Sequence, residues 1–451
     1  MAYILLGLYV LTIFCIAWWY ARNSTEEDFL IAGRNRPAWQ ILLSKTASSI
    51  GVGFFLLYTG YGYQFGWPIA LLLVFQIMSA VVFAYWVVPK IFRYAHEKSF
   101  LTMGDYVGDQ LQNKKTGAFL DFVTAAVGFI WVVAGFIGGI KVVANLLTLT
   151  YEQALVLTVL LIGSYILISG YRVVLATDVV QMLVIIGLLV IVFGTLFTSV
   201  DVSAVSTTPV ESLPIVLIIG IAIFGFFTIF GTADRYQLIY SAKTEKAAKT
   251  GLLWSVVPFS LAFLPLVFIG LFMRTQGADF DPDTVFLTFI NTFTSSNIAS
   301  IAGVMLVAGL MSTADTWVYA TASHFQTARN RWVGGVEMIS VSSLRNSIVV
   351  CLVLMGVVSF FFRDLLEIAI FSAAILVALS IPMLYVVSNG NSSERFVLSV
   401  IASIGAVIAG ALLLGVIPEI LLFPIVAGSL SLLIPTRFLL FCKDYVFRTS
   451  R

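Results

Sequence analysis

Charge is what this chain has least of. Lys, Arg, Asp and Glu make up 11% of its 451 residues, where a soluble domain carries about a quarter. A water-facing globular surface is excluded, and hydrophobic residues fill 60% of the chain instead. Cysteine is nearly missing. Cys15, Cys351 and Cys442 fall in or near different apolar stretches, which speaks against a disulfide framework or a thiolate metal site. Histidine is scarcer still: His96 and His324 lie far apart in sequence, and a lone His is ordinary packing or surface more often than a ligand or proton relay. A net charge of +2 gives no basis for a nucleic-acid partner. No HExxH, phosphate-binding loop or nucleophile–base pair occurs, so an enzyme is not expected.

What fills the chain is a succession of thirteen apolar stretches, read over 2–20, 39–62, 67–89, 117–148, 152–170, 177–200, 213–231, 250–273, 297–328, 344–362, 366–388, 394–415 and 416–440. About twenty apolar residues cross the hydrocarbon as a helix. Only helices or closed barrels satisfy their backbone there, and these runs lack the alternation of barrel strands. The expected class is all-α: a polytopic membrane protein with 13 transmembrane helices. The first span has no basic n-region or cleavage site and reads as a retained helix. Residues 98–112 and 279–293 read as surface helices, the second starting at Asp281-Pro282.

Of the 25 Lys and Arg, only Arg274 and Arg363 fall in loops of one side, and Lys45 and Lys141 fall within spans. Every other one, Arg235 included, is assigned to the loops, span ends or tail of the opposite side. The positive-inside rule then puts the N-terminus outside and the C-terminus in the cytoplasm, in the plasma or inner membrane.

Spans two to six and seven to eleven form two blocks, 39–200 and 213–388. They are preceded by an extra helix and loop (1–38) and followed by two helices and a short tail (389–451). Five helices per block give the second block inverted topology, a recurrent transporter plan with the binding site near the midplane. The first helix of each block carries small and polar residues mid-span: Ala47-Ser48-Ser49-Ile50-Gly51-Val52-Gly53, and Phe224 to Thr232 with Gly225, Thr228 and Gly231. Two readings stand, an interrupted helix opening onto a cavity or close packing by small residues.

Ionisable residues inside a membrane are a functional hypothesis by default. Here they are Lys45, Lys141, Asp178, Asp315 and Glu367. Lys45, Asp178 and Asp315 belong to the same leaflet half, and a cluster of them would be one positive charge short of neutral, a gap that Na⁺ or a proton fills. Alternatively Lys45 snorkels and Asp178 caps a helix. Met311-Ser312-Thr313-Ala314-Asp315-Thr316 offers hard oxygen ligands on one turn, suited to alkali cations. Such hydroxyls also bond back to their own helix.

Several segments, in order, resemble motifs of the sodium:solute symporter family, which has the leucine-transporter-like fold of two five-helix inverted repeats. Asp28–Arg34 is similar to its "DYFLAGR", Ala47–Gly51 to "ASNIG", and Tyr61-Gly62-Tyr63 to its "GY" element. Thr102–Tyr106 resembles "T-x-x-[DE]-Y", Ala176–Gln181 "WTDVIQ", Ser241–Thr244 "AAKS" and Met311–Thr313 "MST". The resemblance implies sodium-coupled symport of a small organic solute by alternating access, with Na⁺ as coupling ion and no other cofactor. It implies a sodium site of the Ala47, Ile50 and Gly309 carbonyls with the Ser312 and Thr313 hydroxyls. A second cation or exit site falls on Asp178, Asp315 and Thr316 with Lys45 beside them. The solute would face Ser49, Gly53, Phe54, Phe224, Phe227 and Thr228. The partners implied are solute, Na⁺ and lipid bilayer.

The chain departs from that pattern in places. Lys45 stands two residues before Ala47, where an apolar or small residue is usual. Ser49 and Phe54 replace more polar residues of sugar carriers, so an amino acid or carboxylate is expected over a sugar. Two rivals remain open: a sodium-independent carrier, proton-coupled or facilitative, with Lys45 standing in for an ion, and a transporter-like sensor module.

Overall fold

The computed structural model describes residues 1–22, 31–167, 170–199, 213–333 and 340–435. Asp28–Leu30 of the first motif, the end of the last expected span and the basic tail lie outside the described residues. Those described are helical throughout, with one isolated backbone bridge. The helices are α1 (Ala2–Ala21), α2 (Ala38–Ser49), α3 (Val52–Phe65), α4 (Trp67–Lys98), α5 (Met103–Gln110), α6 (Lys114–Leu147), α7 (Tyr151–Ile166) and α8 (Tyr171–Ser199). Then follow α9 (Ile215–Gly231), α10 (Ala233–Ser241), α11 (Glu245–Thr275), α12 (Val285–Phe293) and α13 (Ser296–Trp332). The chain continues through α14 (Val341–Phe361), α15 (Leu365–Val387), α16 (Ser393–Leu414) and α17 (Pro418–Leu432).

Among the described residues, nine helices are long and apolar enough to span by themselves, and two bent pairs raise this to eleven. The expected count of thirteen is not reached because 152–170 and 416–440 yield the shorter α7 and α17. Both bent pairs fall where interruptions are expected, at the start of each block. The α2–α3 pair bends by 58° and the α9–α10 pair by 43°. The second break comes at the end of the expected Phe224–Thr232 stretch: α9 runs through Gly231 and the chain turns at Thr232.

The helices α6, α13 and α15 make the core, and α1 and α16 the rim. In the most apolar stretch of α15, 72% of residues are buried, against 17% in α1. Apolar side chains point outward, as Phe197 of α8 and Leu412 of α16 do at 86% and 81% exposure, which is what a lipid-facing surface requires. Cys15 is exposed and Cys351 buried, both free.

The surface helix expected over 98–112 is α5, fixed by a capping box in which Thr102 and Asp105 satisfy each other's backbone. The other expected surface helix starts late, at Val285 rather than at Asp281-Pro282. Glu367 is exposed in the first turn of α15, not buried in the membrane.

The lead-in to α2 is laced to the exit of α10. Arg36 N donates to Ser241 O at 3.0 Å, and Lys243 N donates to Arg36 O at 2.9 Å. Both segments lie at the end of the bundle that gathers the basic side chains.

Candidate functional site

The first interruption follows from Ser48-Ser49-Ile50-Gly51. Ile50 leaves helical geometry at φ −99, ψ 58, and Gly51 is extended at φ −86, ψ −175. A broken helix orphans its last carbonyls. Among the described residues, the Ala47 and Ile50 carbonyls accept no backbone hydrogen bond across the break. Helix α13 passes directly against it. A Cβ on Gly51 would lie 1.8 Å from Thr313 Oγ1 and 3.1 Å from Gly309 O, so only glycine permits the approach. The structure thus brings the Ala47–Gly51 and Gly309–Thr313 segments together.

The hydroxyls there are already engaged as donors. Ser312 Oγ donates to Asp178 Oδ1 at 2.7 Å, and Thr313 Oγ1 donates to Gly309 O at 3.1 Å. A hydroxyl that donates keeps its oxygen lone pairs for a cation. Asp178 also accepts from Ser44, so its carboxylate clamps α2 to α13. Asp315 accepts from Tyr165 OH at 2.8 Å and from Thr316 N at 2.6 Å. Asp178 and Asp315 are both fully buried. Neither has an ion-pair partner among the described residues. Ser44 and Tyr165 were not legible as members of this cluster, because their partners lie on other helices.

Lys45 does not join that cluster. Its ammonium lies 5.3 Å from the Phe259 ring centroid, on the wall of a central cavity. The reason is helical phase: Ser44 takes the face toward Asp178, and the next residue is turned about 100° away.

The cavity measures about 170 Å³ and is reached by both interrupted helices. Ser49, Gly53, Phe54, Phe224 and Thr228 line it as expected. Phe227 does not; it packs edge-on against Phe226, while its carbonyl accepts from Ser380 Oγ at 2.7 Å. Helix α9 presents residues 224 and 228, one turn apart, to the cavity, and residue 227 is turned about 100° from 228. An aromatic wall closes one side, with Phe54 edge-on to Tyr58 and Phe259 at 4.7 and 5.0 Å.

The second interruption supplies two residues that the sequence reading missed. Arg235 was counted in a loop, yet every residue of α10 is buried. Its Nη2 donates to Ser49 Oγ at 2.8 Å, and its Nη1 bonds Asp234 and reaches Ser48 Oγ at 3.4 Å. Asp234 in turn accepts from Ser48 Oγ at 3.3 Å. This group joins the two broken helices across the cavity floor. The signal available was the apolar and aromatic run Tyr236–Tyr240, which continues the helix past the charges.

Two further polar networks hold the ends of the bundle. At the basic end, fully buried Asp121 binds His324 Nδ1 and Arg331 Nη1, each at 2.7 Å, and Arg331 also pairs with Asp105. His324, expected as ordinary packing, therefore belongs to an ionic cluster. At the other end Lys141 pairs with Asp283, whose oxygens accept from Leu365 N and Leu366 N at 2.7 and 3.0 Å and so cap α15.

These features have counterparts among known proteins. The profile of the sodium:solute symporter family matches residues 29–359. The sodium/pantothenate symporter of Haemophilus influenzae is 23% identical over 338 residues, 70% of either chain. A Na⁺-coupled sialic acid symporter, solved in a substrate-bound outward-open state, aligns with TM-score 0.77 and 19% identity, covering 96% of this chain and 95% of that one. Mhp1, a nucleobase-cation-symport-1 family transporter, aligns in its closed conformation with TM-score 0.61 and 12% identity, over 92% and 96% of the two chains. The expected all-helical, leucine-transporter-like fold is thereby established, and the relatives are transporters, not enzymes. A broken helix opposed to a hydroxyl-bearing one, in a bundle of this fold and with a family match over most of its length, has one conclusion: the chain belongs to the sodium:solute symporter family.

Proposed function

We propose that this multi-pass membrane protein carries a small organic solute, an amino acid or carboxylate rather than a sugar, together with Na⁺ by alternating access. Sodium binds where the carbonyls of Ala47, Ile50 and Gly309 meet the hydroxyls of Ser312 and Thr313. The observation that carries this reading is the approach of Gly51 to Thr313 and Gly309. It presents orphaned carbonyls and hard hydroxyl oxygens to each other inside the bundle, a donor set suited to an alkali cation. Asp178, Asp315 and Thr316 form the second cation site or exit route, with Asp178 touching Ser312 directly. Solute occupies the cavity beside Ser49, Gly53, Phe54, Phe224 and Thr228.

Residues 39–200 and 213–388 act as the inverted repeats, each opened by a bent helix pair, with the N-terminus outside and the C-terminus in the cytoplasm. Sodium binding ties α2 and α13 together and favours the state that completes the cavity; coupling is the difference in ion affinity between states. The position of Lys45 on the cavity wall favours sodium over the reading in which this ammonium replaces the ion. The test is uptake by proteoliposomes under an inward Na⁺ gradient against the same gradient of K⁺. Uptake that is equal in the two salts overturns the reading.

A further inference from the structure

We propose that Lys45 and Arg235 form the anion-recognition site of the cavity, and that the solute is an organic monocarboxylate with an apolar body and no ammonium group. The inference rests on the symport reading above and narrows its solute class. Among the described residues, Lys45 and Arg235 are the charged side chains that line the cavity. They belong together: Lys45 and Ser49 stand one helical turn apart on the same face of α2, and Ser49 accepts from Arg235 while donating to the Lys45 carbonyl at 2.9 Å. Arg235 is held in place by Asp234, which neutralises one positive charge. The Lys45 ammonium has neither an ion-pair nor a hydrogen-bond partner among the described residues, only the Phe259 ring face.

With Lys45 protonated, two cations stand against one carboxylate, an excess of one positive charge on the cavity lining. Burying an uncompensated charge is costly, and an incoming carboxylate removes that cost. Arg235 supplies the planar fork and Lys45 the point charge that such a group takes up. A solute ammonium finds no equivalent, because no carboxylate lines the cavity: Asp234 lies behind Arg235 and Ser48, which take its Oδ2. Beyond the charged floor the wall is aromatic and aliphatic, through Phe54, Tyr58, Trp131 and Phe259, and it suits an apolar body rather than a polyol.

The experiment is thermal unfolding of the purified full chain in Na⁺ and in K⁺ with matched probes: 4-methylpentanoate, 4-methylpentanamide and leucine; phenylacetate, phenylacetamide and phenylalanine. In Na⁺ an acid raises Tm while its amide and its amino acid do not. R235Q and K45M each weaken that binding at least tenfold, and R235K recovers part of it. K45M is the safer variant for folding, since the one contact its ammonium gives up is that with the Phe259 ring. The proposal is overturned if an amide or amino acid stabilises as well as its acid, if no acid stabilises, or if folded K45M binds the acid as the unsubstituted protein does. An acid response of equal size in Na⁺ and K⁺ supports the anion site and sinks the symport reading, so the two fail separately.

Discussion

Gly51 and Thr313 are in contact that no side chain at position 51 can share: a Cβ there would overlap the Thr313 hydroxyl at 1.8 Å. Gly51→Ala therefore pushes α13 away from the break and spreads the proposed ligands. The expected outcome is a protein that inserts and unfolds cooperatively but has lost its sodium-dependent rise in Tm. A sodium response like that of the unsubstituted protein would mean the contact is packing alone.

Removing the two hydroxyls tests the ligand set itself. Ser312→Ala with Thr313→Ala should raise the sodium needed for half-maximal uptake by roughly tenfold or more, about 1.4 kcal/mol of ion binding. Sodium titration of uptake reads this, and an unchanged half-saturation point removes both residues from the site.

Asp178→Asn keeps the shape that bridges Ser44 and Ser312 while deleting the charge. If that charge draws the cation, sodium affinity falls while uptake recovers toward the original at saturating sodium. The same titration shows it; a fall in maximal uptake at unaltered sodium affinity would instead make Asp178 a structural clamp.

Arg331→Ala strips the buried Asp121 of its permanent cation and leaves it the hydrogen bonds of His324, Thr102 and Gly104 N. Breaking a buried ion pair from one side costs about 3–5 kcal/mol, and the part-exposed guanidinium places this case at the lower end. A drop of several degrees in Tm is expected, with the solute and sodium responses retained. Adding Asp121→Asn to the variant should restore part of the loss, since the orphaned charge is then gone.

The apolar runs made most of the helices legible, and Ala47–Gly53 revealed the first break because small and polar residues cluster mid-span there. What the sequence hid was the partner of each buried polar group. Arg235 looked like a loop cation because charge ordinarily ends a span; only Ser48, Ser49 and Asp234 together make its burial tolerable. Lys45 was grouped with Asp178 by depth alone, and its neighbour Ser44 turned out to hold the face toward that carboxylate. Phe227 was placed by resemblance, and it missed the cavity because depth in the membrane is readable along a chain, whereas the direction around a helix depends on where the break falls.

The backbone bridge at Arg36 has a mechanical consequence. Arg36 ties the start of α2 to the end of α10 through two amide hydrogen bonds, and Arg235 ties their other ends through Ser48 and Ser49. Pinned at two points, these half-helices form a single rigid lever. Any swing that uncovers the basic end of the bundle must carry both at once, so the proposed ion site and the proposed anion site travel in step rather than in turn.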